Sequence, residues 1–105
     1  MPRGVPGMAK LRLSESAKRD LAEIDEFGMI EFGALVADEY SNGFSETFAL
    51  LREHSLSGPA RPELGQGVRC IVYRRHRIFY VVLNDRVQIS RIFHHSRDVR
   101  RSHLR

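Results

Sequence analysis

The sequence predicts an α+β fold: an antiparallel sheet with an N-terminal α-helical hairpin packed on one face, in the order β-α-α-β-β-β. Three observations predict it. Apolar residues recur at helical spacing from Ser14 to Glu53, and three strand-like runs separated by turn signals fill residues 68–93. The chain is 105 residues long, 42% hydrophobic and 29% charged, enough for one modest core.

Ala9-Lys-Leu-Arg-Leu13 alternates small or apolar with basic residues, as a half-buried strand does. Ser14 is a helix N-cap, and Glu15 complements the dipole of the first turn. Ala17, Leu21, Ile24, Gly28 and Phe32 then form one helical face, and Gly33 terminates it in a left-handed conformation. A second face follows at Val36, Ala37, Tyr40, Phe44, Phe48 and Leu51, interrupted by Gly43, which costs about 1 kcal/mol relative to alanine. A link this short makes the two helices an antiparallel hairpin.

Ser55 to Gly67 reads as a loop broken by Gly58-Pro59, Pro62, Gly65 and Gly67. Val68 to Tyr73 and Arg77 to Leu83 are strands around Arg74-Arg75-His76, and Asn84-Asp85 is the turn into a last strand, Arg86 to Phe93. Ile78-Phe-Tyr-Val-Val-Leu83 is apolar on both faces, which marks a central strand covered on each side. The basic tail begins at about residue 94 and has only Val99 and Leu104 to anchor it.

Residues 1–8 read as an extension outside the fold, since Met8 is a second plausible start, and residues 9–105 as a single domain. The opening stretch lacks the apolar core of a secretory signal, no run approaches a membrane span, and the lone Cys70 excludes an internal disulfide. A reducing cytoplasm is the expected compartment. Cys70 itself reads as a small buried strand residue.

The net charge of +4 conceals an asymmetry. Ser14 to Glu53 holds ten acidic and three basic residues, whereas His54 to Arg105 holds eleven arginines, no lysine and three acidic residues. Such a basic half is expected to meet an anionic partner, and arginine's planar fork suits phosphate, carboxylate and stacking contacts. Arg91 shares strand parity with Val87 and Ile89, so its head needs a partner such as Asp98 or a functional position at the sheet's end near Arg69. His94-His95 is not expected to bind metal, because adjacent strand residues face opposite ways and no further ligand lies at a suitable spacing. No cofactor is implied. Phe27, Met29, Ile30, Leu35, Tyr40 and Phe44 exceed what one core stripe requires. They line either a wide core face or an exposed groove for a partner's helix.

Four stretches carry a resemblance to a known family. They are Leu11-Arg-Leu-Ser-Glu-Ser-Ala-Lys-Arg-Asp-Leu-Ala-Glu-Ile24, Arg61-Pro-Glu-Leu-Gly-Gln-Gly-Val-Arg69, His76-Arg-Ile-Phe-Tyr-Val-Val82 and Val87-Gln-Ile-Ser-Arg-Ile-Phe-His-His-Ser-Arg-Asp98. In this order they resemble the ParE branch of the RelE/ParE toxin superfamily. The resemblance implies the β-α-α-β-β-β fold and a toxin of a type II toxin–antitoxin system. Such a toxin inhibits DNA gyrase without catalysis and is neutralised by a ParD-like antitoxin.

On that reading the target-binding candidates are Arg69, Arg74, Arg75, Arg91, His94, Arg97, Arg100 and Arg101. The antitoxin-binding candidates are Phe27, Ile30, Leu35, Tyr40 and Phe44. The alternatives are a RelE-like ribosome-dependent mRNA endoribonuclease and a non-toxic regulatory partner that only binds antitoxin. The ribonuclease needs a base and phosphate-binding cations. Arg69, Arg91, His94 and His95 are available for it, but no tyrosine follows Tyr80 and the only lysines are Lys10 and Lys18. Direct DNA binding without antitoxin is not expected, because the exposed helix sides are acidic and no recognition-helix pattern appears.

Overall fold

A computed structural model describes residues 9–104; the proposed extension at 1–8 and the terminal Arg105 lie outside the described residues. The elements are β1 (Lys10–Leu13), α1 (Glu15–Phe32), α2 (Ala34–Glu53), β2 (Val68–Tyr73), β3 (His76–Leu83) and β4 (Arg86–His94). Single 3-10 turns at Pro62–Leu64 and Arg101–Leu104 complete them. The sheet order is β1-β4-β3-β2. The three C-terminal strands are antiparallel, as expected, whereas β1 joins β4 in parallel and makes the sheet mixed. The physical reason is the helical crossover: the hairpin returns the chain so that β4 runs alongside β1 in the same direction.

Ser14 performs three tasks at the β1–α1 junction. Its hydroxyl accepts from the Ala17 N–H at 2.9 Å and donates to the Ser90 carbonyl at 2.7 Å, while its N–H donates to the Ile89 carbonyl. The cap thereby stitches the start of α1 to the far end of the chain. Gly33, at φ 89°, sits between the helices where a side chain would be strained. Close approach of the helices is set by Gly28, where an added Cβ would lie 3.4 Å from that of Ala37.

The helices cover one sheet face, burying Ala17, Phe44 and Leu51 against Ile78, Tyr80, Val87, Ile89 and Ile92. Phe79, Phe93, Cys70, Val68 and Leu64 pack on the other face, with Val99 and Leu104 of the tail laid over them. Both faces of β3 are therefore covered, and each fully buried side chain such as Phe79 contributes about 1.5–3 kcal/mol. Two helix positions depart from expectation. Phe32 and Val36 lie exposed, because the end of the hairpin extends past the sheet.

A register shift at Phe79/Tyr80 leaves Ser90 as the extra residue of a β-bulge in β4. Ile89 and Ile92, three apart, consequently share the helix-facing cluster. Arg91 pairs with Phe79 across the ladder and so departs from the parity of Val87 and Ile89 expected of an unbroken strand.

Candidate functional site

Arg91 is joined to Asp20, not Asp98. Its Nε lies 2.8 Å from Oδ2 and its Nη2 3.0 Å from Oδ1, a bidentate fork. The same carboxylate accepts the Ile92 N–H at 2.9 Å, so Asp20 covers the edge of β4 that the short β1 leaves open. Hydrogen bonding to Asp20 holds the Arg91 guanidinium above its ordinary pKa. Asp98 instead stands 3.8 Å from Arg100, and both are exposed. Arg91 thus reads as a fixed structural cation, with its outer nitrogen turned towards the His103 carbonyl.

Arg69 serves a loop. Its Nη1 donates to the Gly58 carbonyl at 2.8 Å, beneath the segment that covers the outer edge of β2 through Arg61 N–H to Val68 O and Cys70 N–H to Pro59 O. From inside, the buried Tyr80 hydroxyl donates to the Ser55 carbonyl at 2.7 Å and accepts the Gly58 N–H at 2.9 Å. Burial raises the pKa of that phenol. A Cβ at Gly58 would lie 2.8 Å from the Tyr80 hydroxyl and 2.7 Å from the Cys70 carbonyl, which is why the loop carries glycine there.

The structure gathers Arg74, Arg75 and His94 at one end of the sheet. Arg74 (φ 52°) and Arg75 form the exposed β2–β3 turn, and His95 N–H donates to the Arg75 carbonyl at 2.7 Å. Beneath them Tyr40 is half-buried, its hydroxyl 2.8 Å from His76 Nδ1. The phenol also accepts from the Arg75 N–H. Burial, reinforced by nearby His94 and His95, pushes the His76 pKa down to about 4. The His94 and His95 rings stack 4.4 Å apart, with His94 Nδ1 2.8 Å from Ser96 Oγ. Among the described residues no three His, Cys, Asp or Glu side chains converge as metal ligands would. His76 was missed as a participant because its partner, Tyr40, lies 36 residues away and no local pattern joins them.

Of the tail cations, Arg97 lies over the Phe93 ring at 4.5 Å, and Arg91 approaches the same ring at 4.4 Å. Arg77 donates to the Arg97 carbonyl and fixes the start of the tail. Arg100 and Arg101 are exposed, and Arg101 Nη2 reaches the Glu63 carbonyl at 3.4 Å. The eight target-binding candidates therefore divide. Arg74, Arg75, His94, Arg97, Arg100 and Arg101 present exposed heads, whereas Arg69 and Arg91 are engaged within the fold.

The apolar candidates divide in the same way. Phe27, Ile30 and Leu35 are 62%, 74% and 86% exposed at the free end of the hairpin, beside Met29, Phe32 and Val36. Phe44 is only 3% exposed and belongs to the core, and Tyr40 is committed to His76 and Tyr73. Of the two alternatives, the core face holds for Phe44 and Tyr40, drawn in by the Tyr73–His76 ring cluster, while the other three form an exposed patch at the tip. A contiguous apolar patch on a small chain marks a contact surface.

The chain is thus a helical hairpin on a mixed four-stranded sheet, with an exposed apolar tip and an arginine-rich end. The family described as "ParE toxin of type II toxin-antitoxin system, parDE" matches residues 11–99, and the chain belongs to it. Toxin ParE1 of Caulobacter vibrioides is 33% identical over 97 residues, spanning 92% of this chain and 99% of that one. The fold is similar to that in the chromosomal ParDE TA system from P. aeruginosa, with a TM-score of 0.72 at 23% identity over 84% of this chain and 97% of that chain. It is also similar to the toxin–antitoxin complex RelBE2 from Mycobacterium tuberculosis, with a TM-score of 0.55 at 26% identity over 86% and 99% of the two chains. The element order and α+β class expected from the sequence are those of these neighbours.

Proposed function

We propose that this ParE-family toxin inhibits DNA gyrase in the cytoplasm by binding rather than catalysis, and that a ParD-like antitoxin silences it. Membership of the ParE family over residues 11–99 carries the reading. The exposed hairpin tip supports it as the seat of an antitoxin helix laid in by its apolar face. The exposed arginines Arg74, Arg75, Arg97, Arg100 and Arg101, with His94 beside them, are the gyrase-facing set, an array suited to an acidic protein surface or to DNA held on the enzyme.

A second reading, ribosome-dependent mRNA cleavage, is favoured by one observation, the likeness to the RelBE2 complex. It would draw on Arg69, Arg91, His94 and His95 for its cations and base. One experiment separates the two: purified toxin with gyrase and supercoiled plasmid, beside a ribosome-programmed mRNA cleavage assay. Blocked supercoiling or trapped linear DNA with intact mRNA is the expected result. Cut mRNA with unimpaired gyrase would select the second reading, and inactivity in both would leave a regulatory, antitoxin-binding partner.

A further inference from the structure

A cup of about 850 Å³ opens beside β1, at the opposite end of β4 from His94 and well along α2 from the hairpin tip. Three elements build it. Lys10, Leu11 and Arg12 come from β1, Arg86 from β4, and Phe48, Ala49 and Arg52 from α2. Among the described residues no aspartate or glutamate lines it. The volume is typical of a small-molecule site.

The parallel ladder and one tether bring the four cations together. Lys10 is the register partner of Arg86, and Arg12 stands two residues further along β1, so all three side chains leave the sheet on the face away from the helices. Leu11 points the other way, into the helix-facing cluster that also holds Phe48. Arg52 arrives from the helical side, and its Nε donates to the Ala9 carbonyl at 2.9 Å, which holds the guanidinium at the start of β1. Lys18, Arg61, Arg91 and Arg100 each stand beside a carboxylate. Lys10, Arg12 and Arg86 make no ion pair among the described residues. Like charges set side by side across a ladder repel, and Lys10 with Arg86 is such a pair. An anion in the cup would relieve that repulsion.

We propose that this cup binds a clustered-phosphate anion, either free polyphosphate or the polyphosphate group of a nucleotide. A lone carboxylate neutralises one cation. Linked phosphates carry several charges within a few bonds and offer oxygens to the planar forks of Arg12, Arg52 and Arg86. A nucleic acid spreads its charge along a track, whereas cations converging from three elements on one concavity suit a compact ligand. The cup is separate from the hairpin tip and from the Arg74–Arg75 turn, so its occupancy does not depend on what the toxin inhibits.

The test is an NMR titration of the full chain, in about 150 mM sodium chloride to screen diffuse attraction, with inorganic triphosphate, ATP and a short oligothymidylate. The expected result is saturable triphosphate binding with a Kd of about 1 mM or below, and amide shifts concentrated at residues 10–12 and Arg86. The melting temperature should rise with triphosphate concentration. Tighter binding of ATP identifies a nucleotide as the occupant and equal binding the polyphosphate group alone, and either result upholds the site. A Lys10→Gln/Arg12→Gln variant should bind at least about tenfold more weakly. Both substituted residues are exposed, and a ligand-free melt at or above that of the parent chain verifies the fold. Unaltered affinity in that variant, shifts spread over the tail arginines without saturation, or no binding of triphosphate would overturn the site. Oligothymidylate bound as tightly as triphosphate at the same residues would overturn the compact ligand.

Discussion

Asp20 on α1 and Arg91 on β4, 71 residues apart, share a bidentate ion pair that also caps the Ile92 N–H. One carboxylate thereby fixes the helix to the sheet edge and occupies the cation that the sequence makes most conspicuous. Asp20→Ala removes three acceptor contacts and strands a partly buried guanidinium. The variant is expected to lose about 2–4 kcal/mol in urea unfolding. Arg91→Lys is expected to recover little of the fork's contribution, since an ammonium cannot span both oxygens.

Tyr80→Phe deletes one hydroxyl and unpairs two backbone groups, the Gly58 N–H and the Ser55 carbonyl. A cost of about 1–3 kcal/mol is expected. Amide exchange should accelerate first in residues 55–61, where the loop is released from β3.

His76 makes stability depend on pH. Its pKa falls from 6.5 when free to about 4 when folded, so the unfolded chain binds the extra proton first as pH drops. Its contribution is intact above about 6.5 and is lost progressively as pH falls to about 4. With the side chain only half-buried, solvent screening reduces the loss to about 1–2 kcal/mol. His76→Asn should flatten that part of a stability–pH profile measured by chemical denaturation.

Gly43 lies under the Tyr73 ring, and a Cβ there would fall 1.8 Å from the phenol oxygen. Alanine ordinarily favours a helix by about 1 kcal/mol over glycine, yet Gly43→Ala is expected to destabilise by about 1–3 kcal/mol through the clash. In a Tyr73→Val background the same substitution should turn neutral or stabilising, which a double-mutant cycle will read.

Leu35→Asp at the hairpin tip changes a side chain that touches little of the fold, so its melting temperature should stay within a few degrees. Antitoxin affinity, measured by calorimetry, should fall by at least about tenfold. Under the proposed function, Arg74→Glu/Arg75→Glu is expected to do the reverse, sparing antitoxin affinity while abolishing inhibition of supercoiling.

Element order and helix termini were legible in the sequence because they are written locally. Ser14, Gly33 and Asn84-Asp85 each carry their own backbone chemistry, and the double-sided apolar run at 78–83 declares a central strand. What sequence could not disclose is written between distant residues. The Ser90 bulge has no residue signature, so the parity rule for an unbroken strand puts Arg91 on the wrong face and hides Asp20 as its partner. Phe44 and Leu35 share the same hydrophobic character, and only the length of the sheet beneath the hairpin separates a core residue from an exposed one. The arginines divide for the same reason: Arg69 and Arg91 have carbonyl or carboxylate partners brought by other elements, while Arg74 and Arg75 occupy a turn.

The Ser14–Ser90 bond spans 76 residues and sits where β1 docks in parallel on the last strand. A ribosome releases the chain in order, so β1 and its helices wait for a strand that lies beyond the loop and two further strands. Contacts between such distant segments form slowly, and the nascent chain spends that interval with its hairpin formed at most locally and its core uncovered. The sheet therefore closes only after β4 has emerged.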